Sequence, residues 1–173
     1  AQTVRAFGAS KVILSGMTPH RLAVAEKYAD HVINAAENDV AQEVKKLTSD
    51  LGPDVIIVAV AVVKAVEQAI EMVRSGGTVL LFGGFPSDSA LTLDPNRIHY
   101  DEVRVIGSAG SLPHEFALAL QLLDSGQVKG DHLFTHRYSL DQVPLALERG
   151  TKQEGIKSII DPWAPEGTAE NLK

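Results

Sequence analysis

The sequence predicts an α/β chain built on a doubly wound, mostly parallel sheet, and three observations carry that prediction. Short apolar runs rich in Val, Ile and Leu recur at Val12–Leu14, His31–Ile33, Asp54–Val60, Thr78–Phe82 and Val103–Gly107. They are continuous rather than alternating, the pattern of strands covered on both faces. Between them lie stretches of helical period. Leu22, Ala25, Tyr28 and Ala29 share one face, Val66, Ala69, Ile70 and Val73 another, and Phe116, Ala119, Leu120 and Leu123 repeat at i, i+3, i+4, i+7. Glycines stand at the stops, Gly76-Gly77 after the Val66–Val73 helix and Gly126 after the next. Alternation of this kind folds with right-handed crossovers into one layered sheet.

Taken in order, Ala1–Gly8 (AQTVRAFG) reads as the back half of a helix stopped by Gly8, with a strand over Lys11–Leu14 after it. The expectation is a partial dinucleotide-binding domain over residues 1–162, without its leading strand–helix unit and the glycine-rich phosphate turn inside that unit. Glu43, Lys45, Lys46, Glu67 and Glu71 are expected on solvated helix faces. Beyond Asp161 the segment PWAPEGTAENLK has Pro, Gly and charge but no period, so residues 163–173 are expected to form a loose tail.

A chain of 173 residues supports one ordinary domain with a useful core. Its net charge of −6 argues against a nucleic-acid or anionic-membrane partner, since both demand a basic footprint. The longest apolar run, Val55–Val63, is about half the roughly 18 residues that span a bilayer. Cysteine is absent, which removes disulfides, thiolate zinc sites and cysteine nucleophiles together. A soluble, cytoplasmic chain is the expectation.

In doubly wound sheets, ligands bind beyond the carboxyl ends of the strands. That rule selects four places. The first is the turn Ser15–Arg21 (SGMTPHR), where an NAD-binding domain usually carries an acid that bonds the adenosine ribose 2′-hydroxyl. Here stand Ser15 and Gly16, followed by Arg21. An acid would repel a 2′-phosphate, whereas a small residue leaves room for one and a guanidinium binds it with two bonds. The turn therefore favours NADP over NAD. A plain turn, with Thr18 capping a helix that begins at Pro19, accounts for the same residues, and both readings can hold together.

The second place is Ala59, Val60 and Ala61, small residues closing the most apolar strand. The third is Phe82, Gly83 and Gly84, where missing side chains let a ligand approach backbone. The fourth is Gly107–Ser111, including Ser108 and Ala109, ahead of a helix starting near Pro113. It lacks both the GxGxxG spacing and the lysine of a P-loop, so it reads as a site wall rather than a phosphate cradle.

His132 and His136, beside Asp131, invite a zinc reading. Their surroundings (DHLFTHRYSL) look extended, and residues four apart on a strand lie about 13 Å from each other, too far for one ion. His99-Tyr100 reads as a surface or packing pair. No Tyr is followed four residues later by Lys, and no GxSxG occurs, so neither a short-chain-dehydrogenase mechanism nor an α/β-hydrolase nucleophile is supported.

One further pattern is collinear over almost the whole chain, from Ala1 to about Pro162. The succession KVILSGMTPHRLAVAEKYADHVINA, RSGGTVLLFGG, NRIHYDEVRVIGSAG, LLDSGQV, THRYSLDQVPLALE and GIKSIIDP resembles the cofactor-domain half of the zinc-type medium-chain dehydrogenases, most of all those acting on sorbitol, threonine and related polyols or alcohols. The resemblance implies a Rossmann-like fold and an NAD(P) cofactor. It implies that Ser15, Gly16 and Arg21 face the adenosine ribose, that Ala59–Ala61 and Phe82–Gly84 line the groove from adenine to nicotinamide, that Ser108 and Ala109 lie near the nicotinamide, and that Lys157 reaches the pyrophosphate. It also implies a short edge strand at Leu91-Thr92-Leu93 through which two copies pair, as unpaired strand edges can.

The family's catalytic zinc is held by Cys, His and a carboxylate of a separate N-terminal domain, and its structural zinc by four cysteines; neither set is present here. The expectation is therefore the NAD(P)-binding portion of an alcohol or polyol dehydrogenase, with no catalytic residue and no zinc site in this chain and no activity on its own. Two alternatives stand beside it: a non-enzymatic binding or dimerisation module, and a Rossmann-like methyltransferase.

Overall fold

The computed structural model describes residues 1–172, which divide into two compact units: residues 1–36 with the segment from 113 onward, and residues 37–112. The first unit opens on α1 (Gln2–Ala6), and Gly8 follows at φ +94°. Arg5 anchors this turn by donating to the Ala9 and Ser10 carbonyls at 2.9 and 2.8 Å and by pairing with Asp30. The Asp30 carboxylate also accepts the Val12 N–H at 2.6 Å. That backbone bond first, and Arg5 second, hold Asp30 below the usual carboxylate range.

β1 (Ile13–Gly16) then leads into α2 (Pro19–Ala25) and β2 (His31–Asn34), a parallel strand–helix–strand unit with Ile13 opposite His31 and Gly16 opposite Asn34. Leu22 and Ala25, from the predicted face, are buried. Pro19 occupies the first helical turn as predicted, but the Thr18 side chain makes no capping bond. Its carbonyl takes the Arg21 and Leu22 N–H groups, each at 3.0 Å. Proline already fixes a helical φ at that position, so the turn closes without the hydroxyl.

The second unit begins with α3 (Val40–Leu47), capped by the Asp39 carboxylate on the Ala41 and Gln42 N–H groups at 2.9 and 3.2 Å. It continues through β3 (Val55–Val58), α4 (Val63–Met72), β4 (Thr78–Leu81), α5 (Pro95–His99) and β5 (Arg104–Gly107). The three strands form one parallel ladder in the order β3-β4-β5. Val58, Val66, Ala69, Ile70, Val73, Val79 and Val103 make the core beneath it, with Val79 completely enclosed. The predicted helical face is thus the face that is buried. Arg97 on α5 closes the open end of α4: it donates to the Ile70 carbonyl twice, at 3.2 and 2.8 Å, and to the Val73 carbonyl at 2.8 Å. It also pairs with Asp101 at 2.6 Å.

Residues 91–93, where the resemblance implies an edge strand, pair with no strand among the described residues. Leu91 packs against the core of its unit instead, while Leu93 stays 36% exposed. A lone extended segment has no ladder to satisfy its backbone groups, so it takes no strand geometry by itself.

The chain returns to the first unit through α6 (Pro113–Asp124), whose predicted apolar face is helical but uncovered: Phe116 is 64% exposed, and Leu120 and Leu123 are exposed as well. Next come β6 (Phe134–Tyr138), a 3₁₀ turn at Leu140–Gln142, α7 (Val143–Thr151), β7 (Lys157–Ile160) and β8 (Ala169–Asn171). β6 lies between a parallel β7 and an antiparallel β8, and Tyr138 at its end is fully buried. β8 corrects the expectation of a loose tail. Ala169–Asn171 pairs with His136–Tyr138, the Thr168 carbonyl accepts the Ser139 N–H at 3.1 Å, and the Asp141 carboxylate accepts the Gly167 N–H at 3.0 Å. This strand is held by backbone and by Asp141 rather than by apolar side chains, so the sequence shows no period there. Asp161, held low by Arg137 and by the Trp163 N–H, fixes the start of the segment that leads to it. Lys173, the last residue of the expected tail, lies outside the described residues.

Among the described residues the hydrogen-bonded ladders form three sheets, and every strand pair apart from β6 with β8 is parallel. The α/β class and the parallel, helix-linked strands are as the sequence predicts. No helix among the described residues is long and apolar enough to cross a membrane.

Candidate functional site

In the second unit, three predicted segments come together at the carboxyl ends of β3, β4 and β5. The strands stop earlier than the apolar runs, so Ala59–Ala61 and Phe82–Gly84 leave the ladder as loops. The Val58 carbonyl accepts the Phe82 and Gly83 N–H groups, each at 3.0 Å. A side chain at Gly83 would press on the Val60 backbone from 3.0 Å, so these two loops can lie this close only with glycine there. The Leu81 carbonyl accepts the Ser108 N–H at 3.1 Å, which brings Ser108 and Ala109 beside them. Ala59, Val60, Ala61, Phe82, Gly84, Ser108 and Ala109 are all exposed, and around Gly84 and Gly107 the space is open. The result is a shelf of small and apolar groups with Phe82 61% uncovered, able to take a flat, largely apolar ligand against backbone.

The remaining predicted residues sit in the first unit. Ser15 is exposed at the end of β1, and Gly16 follows. A Cβ at Gly16 would stand 3.0 Å from the Leu22 side chain, so glycine here serves the packing of α2 as well as leaving space. Arg21, on the first turn of α2, reaches across to the turn before β7: its Nε and Nη2 donate to the Gly155 carbonyl at 3.3 and 3.2 Å. The His20 ring Nε2 lies 3.2 Å from the same oxygen and donates to it in the tautomer protonated there. His20 is the residue that sequence reasoning missed. Its only sequence signal is its place next to Arg21, and its role emerges once the 154–156 turn is in position. Lys157, exposed, opens β7 two residues further on.

That turn is built to hold its shape. Gly155 has φ +78°, and a side chain on it would run into Thr135 Oγ1 and the His136 ring. Thr135 Oγ1 accepts the Ile156 N–H at 2.9 Å and donates to the Lys157 carbonyl at 3.3 Å, while the Arg149 carbonyl accepts the Glu154 N–H at 2.9 Å. A carbonyl oxygen facing a guanidinium and an imidazole marks a donor set suited to an anionic oxygen. In the first unit the exposed Arg21 and His20 side chains thus form a donor set that fits an anionic group.

The residues present do not fit a zinc ion. His132 packs against the Tyr28 ring at 6.4 Å, while His136 stacks on Tyr138 at 6.0 Å with its Nδ1 3.0 Å from Thr135 Oγ1. Among the described residues, no group of three His, Cys, Asp or Glu side chains could hold a metal. His99 and Tyr100 meet edge to face at 4.5 Å, the packing pair the sequence suggests.

Residues 1–125 match the family of zinc-binding dehydrogenases. The chain belongs to that family. It is 34% identical over 161 residues to sorbitol dehydrogenase of Bacillus subtilis, covering 91% of this chain and 45% of that one. It is 30% identical over 166 residues to D-arabinitol dehydrogenase 1 of Uromyces fabae, covering 94% and 47%. The chain therefore spans about half the length of the curated relatives it matches. Among solved structures, a candidate zinc-binding dehydrogenase from Sinorhizobium meliloti 1021 bound to NADP superposes with a TM-score of 0.80 at 26% identity, over 97% of this chain and 46% of that one.

Proposed function

We propose that this chain is the NAD(P)-binding portion of a zinc-type alcohol or polyol dehydrogenase, and that it favours NADP. The observation that carries the preference is the end of β1, where Ser15 and Gly16 stand in place of the usual acid and Arg21, on the helix that follows, presents its guanidinium beside His20. In this reading Ser15, Gly16 and Arg21 hold the adenosine ribose and Lys157 the pyrophosphate. Ala59–Ala61 and Phe82–Gly84 line the groove toward the nicotinamide, and Ser108 and Ala109 stand near its ring. The nicotinamide, when bound, supplies the hydride acceptor for an alcohol carbon; the chain's own residues bind and orient it and exclude water. None of them is a catalytic group or a zinc ligand, so the substrate, a small alcohol or polyol, is polarised by residues outside this chain. The setting is cytoplasmic, in keeping with a cysteine-free, acidic composition.

A thermal-shift titration tests the preference: NADP is expected to stabilise the protein more than NAD at equal concentration. Arg21→Ala is expected to weaken NADP binding by roughly ten- to a hundredfold, the worth of a lost charge-assisted pair, with NAD little changed. Equal or greater stabilisation by NAD contradicts the assignment.

The same reading includes a homo-oligomer through residues 91–93, which would become a strand on meeting a second copy. Leu93→Asp is then expected to shift the protein to monomer in sedimentation velocity without lowering its melting temperature. A protein that is monomeric at all concentrations before substitution removes that part of the proposal.

A further inference from the structure

α4 and α6 carry the same i, i+3, i+4, i+7 apolar spacing, with opposite outcomes. α4 buries Val66, Ala69 and Ile70, whereas α6, twelve residues long, buries none. Along one face of α6, Phe116 is 64%, Leu120 53% and Leu123 49% exposed, and Leu118, on the adjoining face, is 39% exposed. A helix apolar over so wide an arc belongs in an interior. α6 is nevertheless fixed in place. The Leu122 carbonyl accepts the Val128 N–H at 3.0 Å. Gln2 on α1 clips the loop beyond, donating to the Lys129 carbonyl at 2.9 Å and accepting the Lys129 N–H at 2.7 Å. The face is thus formed and held, but uncovered.

The size of the face decides what can cover it. A twelve-residue helix is about 18 Å long and 10–12 Å across, so half of its side offers about 300 Å². A standard interface takes about 800 Å² from each partner, so a second copy seated on α6 alone would not hold. Polypeptide of the same molecule loses no translational or rotational freedom in docking, and a patch of this size is enough for it. The family has such polypeptide to supply, since the chain spans about half the length of its curated relatives.

We propose that the apolar face of α6 is a docking surface for an apolar segment of the same protein, drawn from the part of these relatives that residues 1–173 do not match. Phe116, Leu120 and Leu123 are its anchors. The inference rests on the reading of the chain as a portion of a longer dehydrogenase, and not on which cofactor it takes.

The test uses the protein as its gene encodes it, with a photoreactive benzoylphenylalanine at position 120, irradiated and mapped by mass spectrometry. Cross-links within one molecule to sequence outside residues 1–173 are expected. Leu120→Asp is expected to lower the melting temperature by roughly 5 °C or more, because it sets a charge in a covered apolar face. Should that variant fail to fold, Leu120→Ala is expected to lower it by a smaller amount. Cross-links only to residues 1–173, in the same or a second copy, or to a different protein, overturn the proposal and leave the cofactor reading intact. So does a longer protein that gives no cross-link and keeps its melting temperature within about 2 °C on Leu120→Asp. A gene product that consists of residues 1–173 alone overturns the proposal and the reading of the chain as a portion together.

Discussion

Gly155→Ala is expected to lower the stability of the first unit by about 2–4 kcal/mol, read from denaturant unfolding followed at that unit's amides. Two costs combine. A non-glycine residue held at φ +78° loses about 1–2 kcal/mol relative to an ordinary backbone conformation. The new methyl would also collide with Thr135 Oγ1 and the His136 ring, and over-packing of this kind costs roughly 1–3 kcal/mol. Neither neighbour can simply step aside: Thr135 is bonded to Ile156 and Lys157, and His136 stacks on the buried Tyr138. If Arg21 and Lys157 hold the cofactor as proposed, its affinity falls too, because the same turn precedes Lys157 and meets Arg21. A loss under about 1 kcal/mol would show that the turn does not need its left-handed glycine.

Arg97→Ala is expected to destabilise the second unit by about 2–4 kcal/mol. The carbonyls of Ile70 and Val73 at the end of α4 have no helical partner of their own and take their hydrogen bonds from this guanidinium. Removing it leaves acceptors short of donors beside a core residue that is only 2% exposed, and costs a charge-assisted pair with Asp101 as well. Arg97→Lys should recover little, since a single ammonium cannot serve two carbonyls and a carboxylate in the geometry of a planar fork. Thermal unfolding of both variants checks this; a melting temperature within 1–2 °C of the parent's for Arg97→Ala would mean that water replaces the arginine at no cost.

Much of the fold was legible because it is written in burial. The continuous runs over Asp54–Val60 and Thr78–Phe82 became the shorter parallel strands Val55–Val58 and Thr78–Leu81, and Val66, Ala69, Ile70 and Val73 became the helix side of the core. Val55 and Ile57 stay exposed, however, so β3 is not covered on both faces as its continuous run suggests. β8 was not legible, because Ala169–Asn171 is held by main-chain pairing with β6 and by Asp141, neither of which leaves a periodic apolar trace. Thr18 looked like a helix cap but was not needed as one once Pro19 had fixed the first turn. At the site, the glycine pair Gly83-Gly84 was readable as a place where a ligand could approach backbone; what lies against Gly83 in the fold is the chain's own Val60 backbone, a contact that leaves no trace in the local sequence. Arg21 could be picked out by the absence of an acid before it. His20 could not, because its partner is a carbonyl 135 positions away, on a turn whose shape depends on Gly155, Thr135 and His136.

The most direct measurement is the dissociation constant of NADPH against that of NADH, determined by calorimetry on one preparation of the full protein at one ionic strength. A dinucleotide-binding chain with its acid replaced by Ser15 and Gly16 and a guanidinium at Arg21 is predicted to bind NADPH at least about tenfold more tightly than NADH, by analogy with one charge-assisted phosphate pair gained. NADH binding as tightly as NADPH, or binding of neither, contradicts that account.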